Sequence, residues 1–316
     1  MRKLTLLLLL SLIVVGIQGQ DDSFDKSRIV RRLAGIMNRN YVFPEKGKAM
    51  HDLIRKKLED GAYEAITDRE AFASQLEADL RSIINDKHIR VRYDTARIKA
   101  MRNGQRGGGR KPPHNYGFQE VKNMDGNIGY LDLRGFADVR FAEDAAREAM
   151  NELMKADAVI FDLRRNGGGS PSMIRFISSY LFGKQPVHLN DFYWRPNDSY
   201  EESWTDPDMA SVNKPTVPVF ILTSHYTFSA AEEFTYNLKH LKRATIIGEV
   251  TGGGAHPGGP AAIAEGFLVN VPRGRAINPV TKTNWEGVGV KPHIEIDSEQ
   301  ALDKALELAR KALAEH

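Results

Sequence analysis

Between residues 22 and 85, apolar side chains recur at spacings of three and four. Ile29, Leu33, Ile36 and Met37 share one face, followed by Met50, Leu53, Ile54 and Leu58, then Phe72, Leu76, Leu80, Ile83 and Ile84. That is the period of helices with one buried side. Pro44 separates the first two, and Thr67-Asp-Arg-Glu70 has the capping-box form that opens a third. After Asp86-Lys-His88 the period drops to two, with Ile89, Val91 and Tyr93 alternating with Arg90, Arg92 and Asp94 as in a short strand. Residues 20–94 therefore read as a three-helix lobe ending in a strand that starts at His88. Residues 95–116, around Gly104-Gln-Arg-Gly-Gly-Gly-Arg-Lys-Pro-Pro113, have the composition of a linker.

From 117 to 316 strand and helix patterns alternate. Strands are predicted near 117–122, 127–133, 157–163, 186–193, 217–222, 244–248 and 261–271, and helices near 140–155, 169–182, 229–242 and 298–314. Runs such as Val217-Pro-Val-Phe-Ile-Leu222 suit strands buried on both faces. The expected class is α/β, with helices covering the sheet.

The N-terminus has a different pattern: Arg2 and Lys3 precede an apolar run from Leu4 to Val15, then small Gly16 and Gly19. This is the layout of a secretory signal peptide over residues 1–19, too short for a lasting membrane span. Export to a periplasmic or extracellular location is the expectation. Setting aside those residues, which hold two of the 44 basic side chains and no acid, leaves 42 basic against 41 acidic side chains. A near-neutral chain argues against a nucleic-acid partner, which would need a concentrated basic face. There is no cysteine, which excludes disulfides and thiolate chemistry. The histidines form no metal-binding spacing, so neither a metal nor a cofactor is expected.

Two strand-to-helix junctions carry candidate chemistry. In Thr223-Ser-His-Tyr-Thr-Phe-Ser229-Ala-Ala-Glu-Glu-Phe234 a serine stands where a strand hands over to a helix, and Val159-Ile-Phe-Asp-Leu-Arg-Arg-Asn-Gly-Gly-Gly-Ser170 repeats the layout with glycines. Ser229-Ala-Ala-Glu232 is also a capping box, so the hydroxyl has a structural use as a helix cap. A serine on such a turn can alternatively project its oxygen as a nucleophile, beside the N–H of Ala230. Gly167, Gly168 and Gly169 let a substrate approach backbone N–H groups closely, with Gly167 and Gly168 preferred as donors. A serine nucleophile needs a base, and His88, His225 and His256 all stand in suggestive contexts.

Phe161-Asp-Leu-Arg-Arg-Asn-Gly-Gly-Gly169, Thr227-Phe-Ser-Ala-Ala-Glu-Glu233, Gly248-Glu-Val-Thr-Gly-Gly-Gly254 and Trp285-Glu-Gly-Val-Gly-Val-Lys-Pro-His293 follow one another. In that order they resemble the tail-specific, or C-terminal processing, serine peptidases. The similarity is greatest to the branch of tricorn core protease and interphotoreceptor retinoid-binding protein, whose histidine segment resembles Asp86-Lys-His-Ile-Arg-Val91. The resemblance implies a Clp protease/crotonase-like spiral of ββα units behind the helical lobe. It also implies an enzyme, a serine-type peptidase acting on a protein or peptide substrate. Ser229 would be the nucleophile, His88 the general base and Glu286 the carboxylate supporting the network. Ala230 and a glycine of 167–169 would form the oxyanion hole.

Three departures refine this. Gly254 stands where serine–lysine relatives carry the base, leaving a histidine as the consistent choice. Lys87 replaces the serine that precedes the histidine in the tricorn branch. Only 28 residues separate His88 from Gly117, too few for the PDZ domain of many relatives. The alternative is a non-catalytic module binding an apolar, retinoid-like ligand, since one fold hosts many functions.

Overall fold

The computed structural model describes residues 24–104 and 114–315; the signal-like segment at 1–19 and the glycine run of the linker lie outside the described residues. Helices α1 (Lys26–Asn40), α2 (Pro44–Glu59) and α3 (Arg69–Ile83) form the lobe read from the periodicity. Pro44 sits in the first turn of α2, where its missing N–H costs nothing. The cap of α3 is Asp68, accepting the Ala71 N–H at 2.6 Å, one residue later than the Thr67 capping box predicts.

The lobe does not close its core alone. Strand β1 (Arg90–Tyr93) is followed by α4 (Thr95–Arg102), β2 (Phe118–Met124), β3 (Ile128–Leu133), α5 (Val139–Leu153), β4 (Ala158–Asp162) and α6 (Pro171–Ser179). Next come β5 (His188–Trp194), β6 (Ser199–Trp204), β7 (Val219–Thr223), α7 (Ala230–His240) and β8 (Thr245–Gly248). The chain finishes with β9 (Gly258–Ala262), β10 (Phe267–Pro272), β11 (Gly274–Ile277), β12 (Ile294–Glu295) and α8 (Ala301–Ala314). β1 pairs antiparallel with β10, which pairs with β9, so Val91 lies opposite Val269. Their inward side chains, with Phe267, Val271 and Ile263, share one apolar cluster with Ile29, Leu33, Met37, Phe72 and Leu76 of the helices.

The main sheet runs β12-β8-β7-β4-β3-β2, parallel except for the edge strand β2. Phe161, Ile221 and Ile246 meet α5, α6 and α7 on one face, while Ile160, Phe220 and Ile247 meet α8 on the other. This is the α/β core expected, and β2, β3 and α5 form one ββα unit of it. β5, β6 and β11 make a separate antiparallel sheet.

The differences from expectation have local causes. The stretch read as linker opens with α4, because Asp94 caps it by accepting the Arg97 N–H at 2.8 Å and Ile98 is buried. The strand expected over 261–271 is two strands, turned at Glu265 and Gly266, both at positive φ. β6, with exposed Tyr200, Glu201 and Glu202, lacks the apolar run that marks buried strands.

Candidate active site

β4 and β7 are parallel neighbours, with Asp162 opposite Leu222, so their C-terminal ends release two loops side by side. Such ends are where α/β sheets place ligands. The loops are stitched together by Thr227 Oγ1 donating to the Leu163 carbonyl at 2.8 Å and the Phe228 N–H donating to the Asn166 carbonyl at 3.1 Å. Gly168 makes the approach possible: at φ 106°, a Cβ there would sit 2.8 Å from Ser229 Cβ.

Ser229 occupies the N-cap position of α7 with φ 56° and ψ −120°. A non-glycine residue there is strained, by roughly 1–3 kcal/mol, and persists only where its surroundings over-determine it. Glu232 provides that restraint. Fully buried, its carboxylate accepts the N–H groups of Ser229 at 2.8 Å, Gly253 at 2.6 Å and Gly254 at 2.8 Å, and the Thr251 hydroxyl.

His88 Nε2 lies 3.0 Å from Ser229 Oγ. The histidine is held by its own backbone: its N–H donates to Asp86 Oδ1 at 2.9 Å and its carbonyl accepts Asn270 Nδ2 at 2.7 Å. Arg81 of α3 adds bonds to the carbonyls of Lys87 and Ile89. The imidazole packs on the Phe228 ring at 4.7 Å between centroids. Burial lowers its pKa to about 4, against the opposing charge of Asp86. Above that pH it is neutral and able to accept a proton.

Behind His88 lies a buried relay that the sequence reading missed. Asp86 Oδ1 is 3.8 Å from His88 Nδ1, while Oδ2 accepts the Tyr41 hydroxyl at 3.0 Å and faces His256 Nδ1 at 2.8 Å. Burial pushes the Asp86 carboxyl up, but its bond with His256 and the charges of both histidines outweigh this and hold it below the ordinary range. Glu286 joins from the far side, 3.5 Å from His256 Nδ1, and accepts the Ala255 N–H. Burial, and then the charge of Asp86, raise the Glu286 carboxyl to about 7. Asp86, His256 and Glu286 offer atoms within 4.8 Å of one another, a donor set of metal-binding type. The Tyr41 hydroxyl and the Ala255 N–H already fill part of it, which suits a hydrogen-bond relay.

The predicted site residues thus separate into two groups. Ser229, His88, Ala230 and Gly168 stand together. Glu286 reaches His88 only through His256 and Asp86. Gly168 gives its N–H to Asn166 Oδ1 at 2.9 Å, so it supplies space rather than the free donor expected of it. Gly167 faces the Tyr226 hydroxyl. Ala230 is the first residue of α7, where an N–H has no partner within the helix. Lys87 donates to the Gly252 carbonyl at 2.6 Å. At Gly254, any Cβ would press on the Phe228 ring and come within 2.7 Å of His88 Cε1. A lysine at 254 and the histidine at 88 compete for the same space.

Beneath Ser229 and Ala230 lies a cavity of about 40 Å³, bounded by Gly169, Glu233, Phe192 and Trp285 among others. Glu233 is 3% exposed and its Oε1 has no hydrogen-bond partner among the described residues. Burial alone raises its carboxyl from 4.5 to about 8. The unfolded chain releases this proton near 4.5 while the native state keeps it, so native stability should fall as pH rises towards about 8. Glu286 adds to the trend in the same direction. Thermal melts from pH 5 to 8.5 should therefore show a shallower decline for Glu233→Gln than for the parent. An unchanged slope would contradict this account of Glu233.

A family model for peptidase family S41 matches residues 127–296, and one for the N-terminal domain of peptidase S41 in eukaryotic IRBP matches residues 25–116. The carboxyl-terminal-processing peptidase 2, chloroplastic, of Arabidopsis thaliana is 31% identical over 168 residues, covering 52% of this chain and 31% of that protein. The chain spans less than a third of the length of the curated relatives it matches, 18% and 31%. A lipoprotein from Streptococcus agalactiae has a similar fold at TM-score 0.62 and 15% identity, over 98% of this chain and 100% of that one. The photosystem II D1 C-terminal processing protease aligns at TM-score 0.56 and 17% identity, over 91% and 97% of the two chains. With more than half of its length matched by the family model and both strand-to-helix junctions inside that match, the chain belongs to peptidase family S41.

Proposed function

We propose that the protein is a serine-type peptidase that cleaves peptide bonds through an acyl-enzyme on Ser229. The observation that carries this reading is the 3.0 Å approach of His88 Nε2 to the oxygen of a serine held at positive φ. Neutral His88 takes the hydroxyl proton as Ser229 Oγ bonds to the substrate carbonyl carbon. The carbonyl oxygen, now negative, accepts hydrogen bonds from backbone N–H groups. Ala230 is one donor. The second comes from Gly167 or Gly169, and Gly169 shares the small cavity with Ser229 and Ala230. Protonated His88 then gives its proton to the leaving amine, and water repeats the sequence on the ester.

Asp86 is the orienting carboxylate in this reading, with His256 and Glu286 fixing Asp86 in turn. His88 Nδ1 is buried and lacks a partner among the described residues, so a small movement of the ring would bring it onto Asp86 as the imidazolium forms. An apolar-ligand carrier fits less well. Small-molecule pockets run to roughly 300–1,000 Å³; the cavity under Ser229 is only about 40 Å³, and the wider cleft beside His88, of about 470 Å³, carries Lys87, Arg90, Arg92 and Arg97 on its wall, which does not suit an apolar ligand.

Export is part of the same reading, with residues 1–19 as a removable leader. N-terminal sequencing of the secreted protein should begin after Gly19, and an intact Met1 would contradict it. In peptide hydrolysis, kcat/KM should fall on the acid side with a midpoint near 4, as His88 protonates. Asp86→Asn should lower kcat on the order of a thousandfold or more without unfolding the protein. An acid limb at 6.5, or an Asp86→Asn variant of full activity, would contradict these roles.

A further inference from the structure

The reaction proposed above gives Glu233 no part. The residue stands one turn along α7 from Ser229 and Ala230, and long helical side chains lean back towards the N-terminus of their helix. Its side chain accordingly lines the cavity of about 40 Å³ beneath those two residues. The surroundings offer the carboxyl nothing to bond. Phe192 of β5 and Ala276 of β11 are apolar, and Trp285 already gives its Nε1–H to the Gly254 carbonyl at 2.7 Å. Glu233 Oε1 is buried with no partner among the described residues.

A buried carboxyl without a partner lowers stability, and an apolar residue of similar volume would fill the place without that cost. Burial keeps the group neutral up to about pH 8. In that form it has one O–H to donate and oxygens that accept, so it can serve a hydroxyl in either direction. The position of the cavity identifies what would bring one. When Ser229 Oγ bonds to the substrate carbonyl carbon and the carbonyl oxygen turns to the Ala230 N–H, the leaving amine lies on the His88 side. The residue that owns the carbonyl stays against Ser229 and Ala230, with its side chain over the cavity. Room is short there, since a single water molecule in the liquid occupies about 30 Å³. A hydroxymethyl or methyl group fits; a branched or long side chain does not.

Resting on the peptidase reading above, we propose that Glu233 is a specificity-determining residue: the cavity receives the side chain of the residue whose carbonyl Ser229 attacks, and the buried carboxyl selects serine there over alanine. Serine brings the partner that Glu233 lacks in the free protein. Alanine fits but leaves the carboxyl unpaired, and valine, leucine and lysine are excluded by size.

The test uses the full-length Ser229→Ala protein and fluorescent peptides of equal length, glycine-rich except for one central residue that is Ser, Ala, Val, Leu or Lys. Polarisation titrations should show roughly tenfold tighter binding of the Ser peptide than of the Ala peptide, the scale of one hydrogen bond to a buried group, and weaker binding still of the other three. Adding Glu233→Leu, of similar volume, should make the Ser and Ala peptides bind equally, whereas Glu233→Gln, which keeps hydrogen-bonding atoms, should retain the preference. Equal binding of the two peptides with Glu233 intact, as when water alone meets the carboxyl, overturns the proposal, and so does a preference that survives Glu233→Leu. Turnover of the same peptides by the parent protein, with the cleavage point read by mass spectrometry, separates the two readings. Cleavage of none of them counts against the peptidase; cleavage after serine and alanine with equal kcat/KM counts against the role of Glu233 alone.

Discussion

The site depends on one buried carboxylate, that of Glu232. Its bond to the Ser229 N–H holds the serine at a backbone angle that would otherwise relax. Its bonds to the N–H groups of Gly253 and Gly254, and to Thr251, hold the neighbouring loop against the same turn. Burial pushes this carboxyl above its ordinary range while those donors pull it down. Such a group is tolerated because nearly every lone pair is engaged. One residue thus fixes both the Ser229 turn and the loop whose missing side chain, at Gly254, leaves room for His88.

His88 arrives from elsewhere in the chain. It enters at the junction of α3 and β1, and β1 reaches the core only by pairing with β10. The helical lobe is therefore not an appendage to the site. Arg81 of α3 and Asn270 of β10 grip the main chain on either side of the imidazole, so the apolar cluster around Phe72 and Phe267 underwrites the placement of His88. The crowding at position 254 gives a steric reason why a histidine at 88 and a glycine at 254 occur together here.

Much of this was legible in the sequence, for identifiable reasons. The helices of the lobe and the buried strands β3, β4, β7 and β8 follow from strong periodicity and apolar runs, and Ser229 and the glycines from their place at strand ends. What stayed hidden depends on contacts distant in sequence. Asp86 and His256 are 170 residues apart and share no motif, so only the pairing of β1 with β10 shows that they meet. The Gly168 N–H could not be seen as engaged, because its acceptor is a side-chain oxygen two residues away. β11 and β12 are too short to leave a pattern.

The central claim is that Ser229 is a nucleophile activated by His88. The most direct measurement is reaction of the purified protein with a fluorophosphonate, followed by peptide mapping of the adduct by mass spectrometry. The account predicts a single phosphonylated site, Ser229, formed at a rate that collapses in His88→Ala. An adduct on another serine, or one that forms equally fast without His88, would contradict it.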